Sequence, residues 1–213
     1  MSRRPSVAVL DSGSGNIRSV HRALERVGAD VTVTAEHTIA GGADGLVVPG
    51  VGAYATCMAD LRAVDGDRLV ATRLAAQLPV LGICVGMQVM FEAGEERGVR
   101  TLGLGRWPGT VERLRATVVP HSGWNTVSAR DESAMFAGIP HEWFYFVHSY
   151  AARSWRLDPS PKVPESSVSW TGYDDDRFVS AVEDGPLWAT QFHPEKSGDA
   201  GAALLGNWLD RLR

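Results

Sequence analysis

Two short motifs carry side chains that could do covalent chemistry together. The first is Gly82-Ile83-Cys84-Val85-Gly86-Met87-Gln88, a cysteine with a glycine two residues to either side. The apolar run Val80 to Ile83 precedes it, and Val85, Val89 and Met90 follow at positions that suit one face of a helix. This is the pattern of a strand-to-helix elbow. Such an elbow turns the side chain outward, its glycines relieve crowding around a strained backbone, and a helix N-terminus favours thiolate over thiol. The second motif is Gln191-Phe192-His193-Pro194-Glu195-Lys196-Ser197. A cysteine nucleophile needs a base that takes its proton and returns it to a leaving group, and imidazole does both near neutral pH. His193 follows the apolar run Leu187 to Gln191, is stiffened by Pro194, and has the Glu195 carboxylate close enough to orient and charge-stabilise its ring.

Each motif alone has a plainer reading. A lone cysteine is most often inert packing, which is how we read Cys57 in Ala55-Thr56-Cys57-Met58-Ala59. His-Pro-Glu alone is an ordinary surface turn, and Val48-Pro49-Gly50-Val51-Gly52 alone is a Pro-Gly turn after a strand. A shared site requires Cys84 and His193 to end strands at the same edge of one sheet, which their separation in the chain does not establish.

The elements that would position them alternate. Ser6 to Leu10 reads as a strand stopped by Asp11-Ser12-Gly13-Ser14-Gly15, after which Ile17, Val20, Leu24 and Val27 recur at helical spacing up to Gly28. Val31 to Thr34, Gly45 to Val48 and Val80 to Ile83 are further strands, with Leu69, Val70 and Leu74 on one helical face between the last two. Such alternation predicts an α/β fold, a parallel sheet with helices on both faces and its site at the strand C-terminal ends. The second half adds Phe144 to His148, Ser167 to Thr171, Phe178 to Val182 and Leu187 to Gln191, some of which are expected to pair antiparallel and make the sheet mixed. Asp158 to Pro164 is expected to be an irregular loop, and Leu204, Leu205, Trp208, Leu209 and Leu212 form the apolar stripe of a closing helix.

Composition narrows the function classes. At 213 residues and 44% hydrophobic content the chain can bury one substantial core, so we expect a single domain over 1–213. A net charge of -4 with scattered basic residues gives no footprint for nucleic acid or an anionic membrane surface. The start Met-Ser-Arg-Arg-Pro leads into too short an apolar run for a signal peptide, and the expected location is cytoplasmic. Two cysteines without metal-ligand spacing predict neither a disulfide framework nor a metal site. Gly13-x-Gly15-x-x-Arg18 places arginine where a dinucleotide fingerprint needs a small residue.

The Cys84 and His193 motifs together resemble the nucleophile elbow and His-Glu pair of class I, triad-type glutamine amidotransferases, and the resemblance runs from the first strand to the last helix. It implies a flavodoxin-like open sheet, no cofactor, and L-glutamine as substrate. Cys84 would attack the side-chain amide, His193 would act as base and then acid, and Glu195 would orient it. The resemblance makes the backbone N–H groups near Val51 and of Val85 the oxyanion donors, and places the substrate against Gly50, Gly52, Gln88, Ser149 and Tyr150. Sister branches share the triad, including those serving anthranilate and aminodeoxychorismate synthesis, and an intracellular cysteine peptidase has a similar elbow. Asp11-Ser12-Gly13-Ser14-Gly15-Asn16, His121-Ser122-Gly123-Trp124-Asn125 and Lys196 resemble the histidine-biosynthesis branch. That branch implies a (β/α)8-barrel cyclase subunit as partner, docked on Asn16, Trp124, Asn125 and Lys196 and receiving ammonia through an internal passage. Ser12 and Ser122 depart from it, since tyrosine and methionine are common there.

Overall fold

A computed structural model describes residues 3–13, 15–155 and 166–212. The first half runs β1 (Ser6–Leu10), α1 (Ile17–Arg26), β2 (Asp30–Thr34), α2 (His37–Gly42), β3 (Gly45–Gly50), α3 (Tyr54–Ala63), α4 (Gly66–Ala75), β4 (Val80–Cys84) and α5 (Val85–Gln88). The second half runs β5 (Phe91–Glu96), β6 (Val99–Leu102), β7 (Trp107–Arg113), β8 (His121–Thr126), β9 (Trp143–His148), β10 (Tyr150–Ala152), β11 (Ser167–Tyr173), β12 (Asp176–Asp184), β13 (Leu187–Thr190) and α6 (Gly198–Asp210).

The main sheet has the order β11-β12-β13-β4-β3-β1-β2. From β13 to β2 every pair is parallel, while β11, β12 and β13 pair antiparallel, so the sheet is mixed as expected. Strands β3, β4 and β13 are buried along their whole length, which is why they read as unbroken apolar runs. Helix α1 packs with α6, and α2 and α3 pack with α4. Arg73 of α4 is buried and serves the frame: its guanidinium donates to the carbonyl oxygens of Ala40, Gly41, Ala43, Asp44 and Pro79 at 2.9–3.1 Å, closing the end of α2. The closing helix buries Leu204, Leu205, Trp208 and Leu209, with Leu212 packed just beyond its end.

Three features depart from expectation. The helix after Cys84 is one turn long, because Val89 and Met90 leave it and lead into β5 instead of extending its apolar face. A second sheet, β10-β7-β5-β6, and strand β8, which pairs with the expected β9 in a separate hairpin, were not legible in the pattern. The loop expected over Asp158 to Pro164 lies outside the described residues. Among the described residues no helix is long and apolar enough to cross a membrane.

Candidate active site

Strands β3, β4 and β13 are neighbours, with Gly50 opposite Cys84 and Thr190 opposite Ile83, so the residues that follow them converge on one edge. Cys84 has φ 56° and ψ -113°, a conformation that side chains other than glycine's rarely adopt and that costs about 1–3 kcal/mol. Close packing enforces it. A methyl group on Gly82 would sit 2.8 Å from the Gly86 carbonyl oxygen, and one on Gly86 would overlap the Val48 carbonyl oxygen. The flanking glycines therefore let α5 lie directly on β3 and β4. A single helical turn carries little macrodipole, so any charge on the sulfur depends chiefly on its neighbours.

The main neighbour is His193. Its backbone N–H donates to the Tyr145 carbonyl at 2.9 Å, and its own carbonyl accepts from the Ser197 hydroxyl at 2.7 Å, which fixes the turn at both ends. The ring is buried, and Nδ1–H donates to Glu195 Oε1 at 2.8 Å. That leaves the other ring nitrogen for Cys84, which lines the same cavity. Burial pushes the imidazole down, but the hydrogen bonds to Cys84 and Glu195 and the negative charge of both outweigh it and hold His193 up, at about 10. The site therefore favours an imidazolium beside the sulfur.

A cavity of about 330 Å³ opens on this group. It brings together Cys84, His193, Val51, Gly52, Val85, Gln88, Ser149, Tyr150 and Lys196, all singled out in the sequence. Gly50 stands apart, behind the elbow and off the cavity wall, where a methyl group would meet the Gly86 nitrogen at 2.5 Å. Glu95 and Glu96 also line the cavity and were missed. The Glu96 carboxylate accepts from the Tyr54 N–H at 2.9 Å, tying β5 to α3. The signal was the Glu95-Glu96 pair itself, which begins eleven residues beyond Cys84, on a strand whose residues do not read as one. Two carboxylates in a small pocket suit the ammonium group of a free amino acid.

The expected interface residues divide. Trp124 is 51% exposed on the outer face of the β8-β9 hairpin, edge-on to Tyr145 at 6.0 Å, and Lys196 Nζ lies 5.9 Å from the same Tyr145 ring. Trp143, Val118 and Val51 are also exposed. Asn16 and Asn125, both half-buried, make internal bonds. Asn16 Nδ2 donates to Glu195 Oε1 at 3.2 Å, adding a second donor to the triad carboxylate, and Asn125 Nδ2 donates to the Gly172 carbonyl at 3.0 Å. Ser122 is exposed on the hairpin and Ser12 half-buried in the loop after β1.

A cysteine on a strained elbow, sharing a cavity with an imidazole that a carboxylate orients, is an arrangement suited to cysteine-dependent hydrolysis through a covalent acyl intermediate. The protein-family model described as glutamine amidotransferase class-I matches residues 8–212. The chain is 57% identical over 207 residues to "Imidazole glycerol phosphate synthase subunit HisH" of Corynebacterium diphtheriae, covering 97% of this chain and 99% of that one. It is 60% identical over 210 residues to the subunit of the same name from Nocardia farcinica, covering 98% and 99%. Among solved structures, PurLQS from Thermotoga maritima superposes with a TM-score of 0.73 at 15% identity, over 99% of this chain and 100% of that one. A glutamine amidotransferase of the same organism gives 0.62 at 15% identity, over 99% of both; these two likenesses speak to the fold alone. The chain belongs to the class I glutamine amidotransferases, in the family of the HisH subunits of imidazole glycerol phosphate synthase.

Proposed function

We propose that this chain is the glutaminase subunit of an imidazole glycerol phosphate synthase, with Cys84, His193 and Glu195 as its triad. The observation that carries the reading is the convergence of Cys84 and His193 on one small cavity, with Glu195 bonded to the His193 ring at 2.8 Å. The Cys84 thiolate attacks the side-chain carbonyl carbon of L-glutamine. The developing oxyanion is met by backbone N–H groups at Val51 and Val85, and protonated His193 gives its proton to the departing nitrogen. Ammonia leaves and a glutamyl thioester remains. Neutral His193 then takes a proton from water, the hydroxide adds to the thioester, and glutamate departs with return of the thiolate. Glu195 holds the ring and balances its charge in both halves, with Asn16 steadying the carboxylate.

Within the cavity, Glu95 or Glu96 faces the substrate ammonium, while Gly52, Gln88, Ser149 and Tyr150 line its length. The partner is a cyclase subunit with a (β/α)8 barrel that seats on the exposed Trp124 and Lys196 face beside the cavity mouth and receives the ammonia before water protonates and dilutes it. The cyclase then makes imidazole glycerol phosphate and the purine precursor AICAR, for histidine biosynthesis in the cytoplasm. A pocket this small disfavours a peptidase, and identity to HisH subunits along the whole chain disfavours the anthranilate and aminodeoxychorismate branches.

The test is covalent trapping. A glutamine-analogue diazoketone should add one adduct per chain, mapped to Cys84 by peptide mass, and excess L-glutamine should protect. An adduct at Cys57, or none that glutamine blocks, would overturn the assignment.

A further inference from the structure

At the back of the cavity, whose wall includes His148, the buried His121 and His148 face each other, and His121 is stacked between Phe146 at 4.9 Å and Tyr173 at 4.0 Å. His121 Nδ1 and His148 Nε2 are 3.2 Å apart, and His148 Nδ1 is 3.0 Å from the Tyr150 carbonyl oxygen. The Tyr150 oxygen can only accept, so His148 carries its proton on Nδ1 and its Nε2 accepts from His121 Nδ1–H. His121 Nε2 is then an acceptor in turn, and Asn125 Nδ2 lies 3.4 Å from it. The Asn125 amide is fixed in that sense, because its oxygen accepts from the Thr126 N–H at 2.8 Å while Nδ2 also donates to Gly172.

The chain continues past Tyr150. The same carbonyl accepts from Gln88 Nε2 at 2.8 Å, Gln88 Nε2 also donates to Gln191 Oε1 at 3.0 Å, and Gln191 Nε2 points at Cys84 Sγ at 3.8 Å. The hydrogen bonds between the β8 hairpin and the sulfur thus form one directed chain. We propose that His121 and His148 are positioning residues for the nucleophile, holding the Tyr150 carbonyl and through it the Gln88 and Gln191 amides that present a donor to the Cys84 sulfur. The inference rests on the glutaminase reading for its purpose, although the hydrogen-bond chain stands apart from it. Burial pushes His121 down to about 4 and His148 to about 3, so both rings are neutral at physiological pH, as the chain demands.

Two measurements test this. In the unaltered chain, long-range proton–nitrogen NMR correlations should report both rings as the Nδ1–H tautomer; Nε2–H at either would break the chain and overturn the proposal. The second is the rate of iodoacetamide alkylation at Cys84, followed by peptide mass. His121→Phe keeps the stack but loses the donor, and is expected to slow the reaction about fivefold, while His121→Asn, which keeps a donor at the Nδ1 position, returns it to within about twofold. Asn125→Ala, from the half-exposed end, should slow it less than His121→Phe. Equal rates in all variants, or His121→Asn as slow as His121→Phe with melting temperature falling in step, would reduce the pair to core packing. Failure of the unaltered chain to take up the diazoketone would instead strike the glutaminase reading and leave the chain of bonds untouched.

Discussion

Replacing Gly50 by alanine tests how the elbow is held. The added methyl would lie 2.5 Å from the Gly86 nitrogen and 2.9 Å from both the Val85 carbonyl carbon and the Cys57 sulfur. Real contacts of a Cβ essentially never fall below 3.0 Å, and two of these three neighbours are backbone, so the Val85-Gly86 peptide must move by about half an ångström. Overpacking of this kind costs about 1–3 kcal/mol, which for a domain of this size lowers the melting temperature by roughly 4–8 °C at the middle of that range. The displaced peptide adjoins the Val85 N–H assigned to the oxyanion, and a misplacement approaching 1 Å costs about 100-fold in rate, so a loss of about tenfold or more in kcat is expected. Scanning calorimetry and glutamate release with saturating cyclase would measure both. The control is Gly206→Ala in α6, where nothing lies within 4 Å and a gain of about 0.4–1 kcal/mol is expected without change in rate. Unaltered stability and kcat in Gly50→Ala would refute the argument that close approach of β3 positions the elbow.

Other expectations follow from the same geometry. Glu195→Gln removes the charge that faces His193 and should lower kcat by about 10²–10⁴-fold with little change in KM for glutamine, measured by steady-state kinetics. His193 is raised from 6.5 to about 10, so its contribution to stability is complete below pH 6.5 and is lost as pH rises through 10; the urea-midpoint gap between wild type and His193→Asn should shrink over that interval. His121 and His148 are shifted down, so theirs is complete above pH 6.5 and lost as pH falls towards 4 and 3, and acid unfolding should begin higher in wild type than in His121→Phe. Arg73→Leu removes a donor from five carbonyl oxygens and should cost about 3 kcal/mol or more in urea unfolding, leaving the activity per folded molecule unchanged.

Cys84, His193 and Glu195 were legible as a candidate site, and the strands that carry them as strands, because buried parallel strands leave unbroken apolar runs and the three residues stand in short motifs at their ends. The second sheet was not, since Phe91–Glu96 mixes glycine with three glutamates and lacks the branched residues that mark a strand; Glu95 and Glu96 went unnoticed with it. The single turn of α5 was hidden for a related reason. Val89 and Met90 are apolar at helical spacing, yet they are buried by the turn into β5. Asn16 and Asn125 were noticed for their motifs, but only three-dimensional placement reveals that one reaches Glu195 across 179 positions of sequence and the other bonds to the buried His121.

The measurement closest to the central claim is glutamate release from L-glutamine as the cyclase subunit and its nucleotide ligand are titrated in, with Cys84→Ala as the blank. The expected result is a low rate for the chain alone, a saturable rise that levels at one cyclase per chain, and no rate in the blank. Glutamate release that is equal with and without cyclase, or that survives in Cys84→Ala, would contradict it.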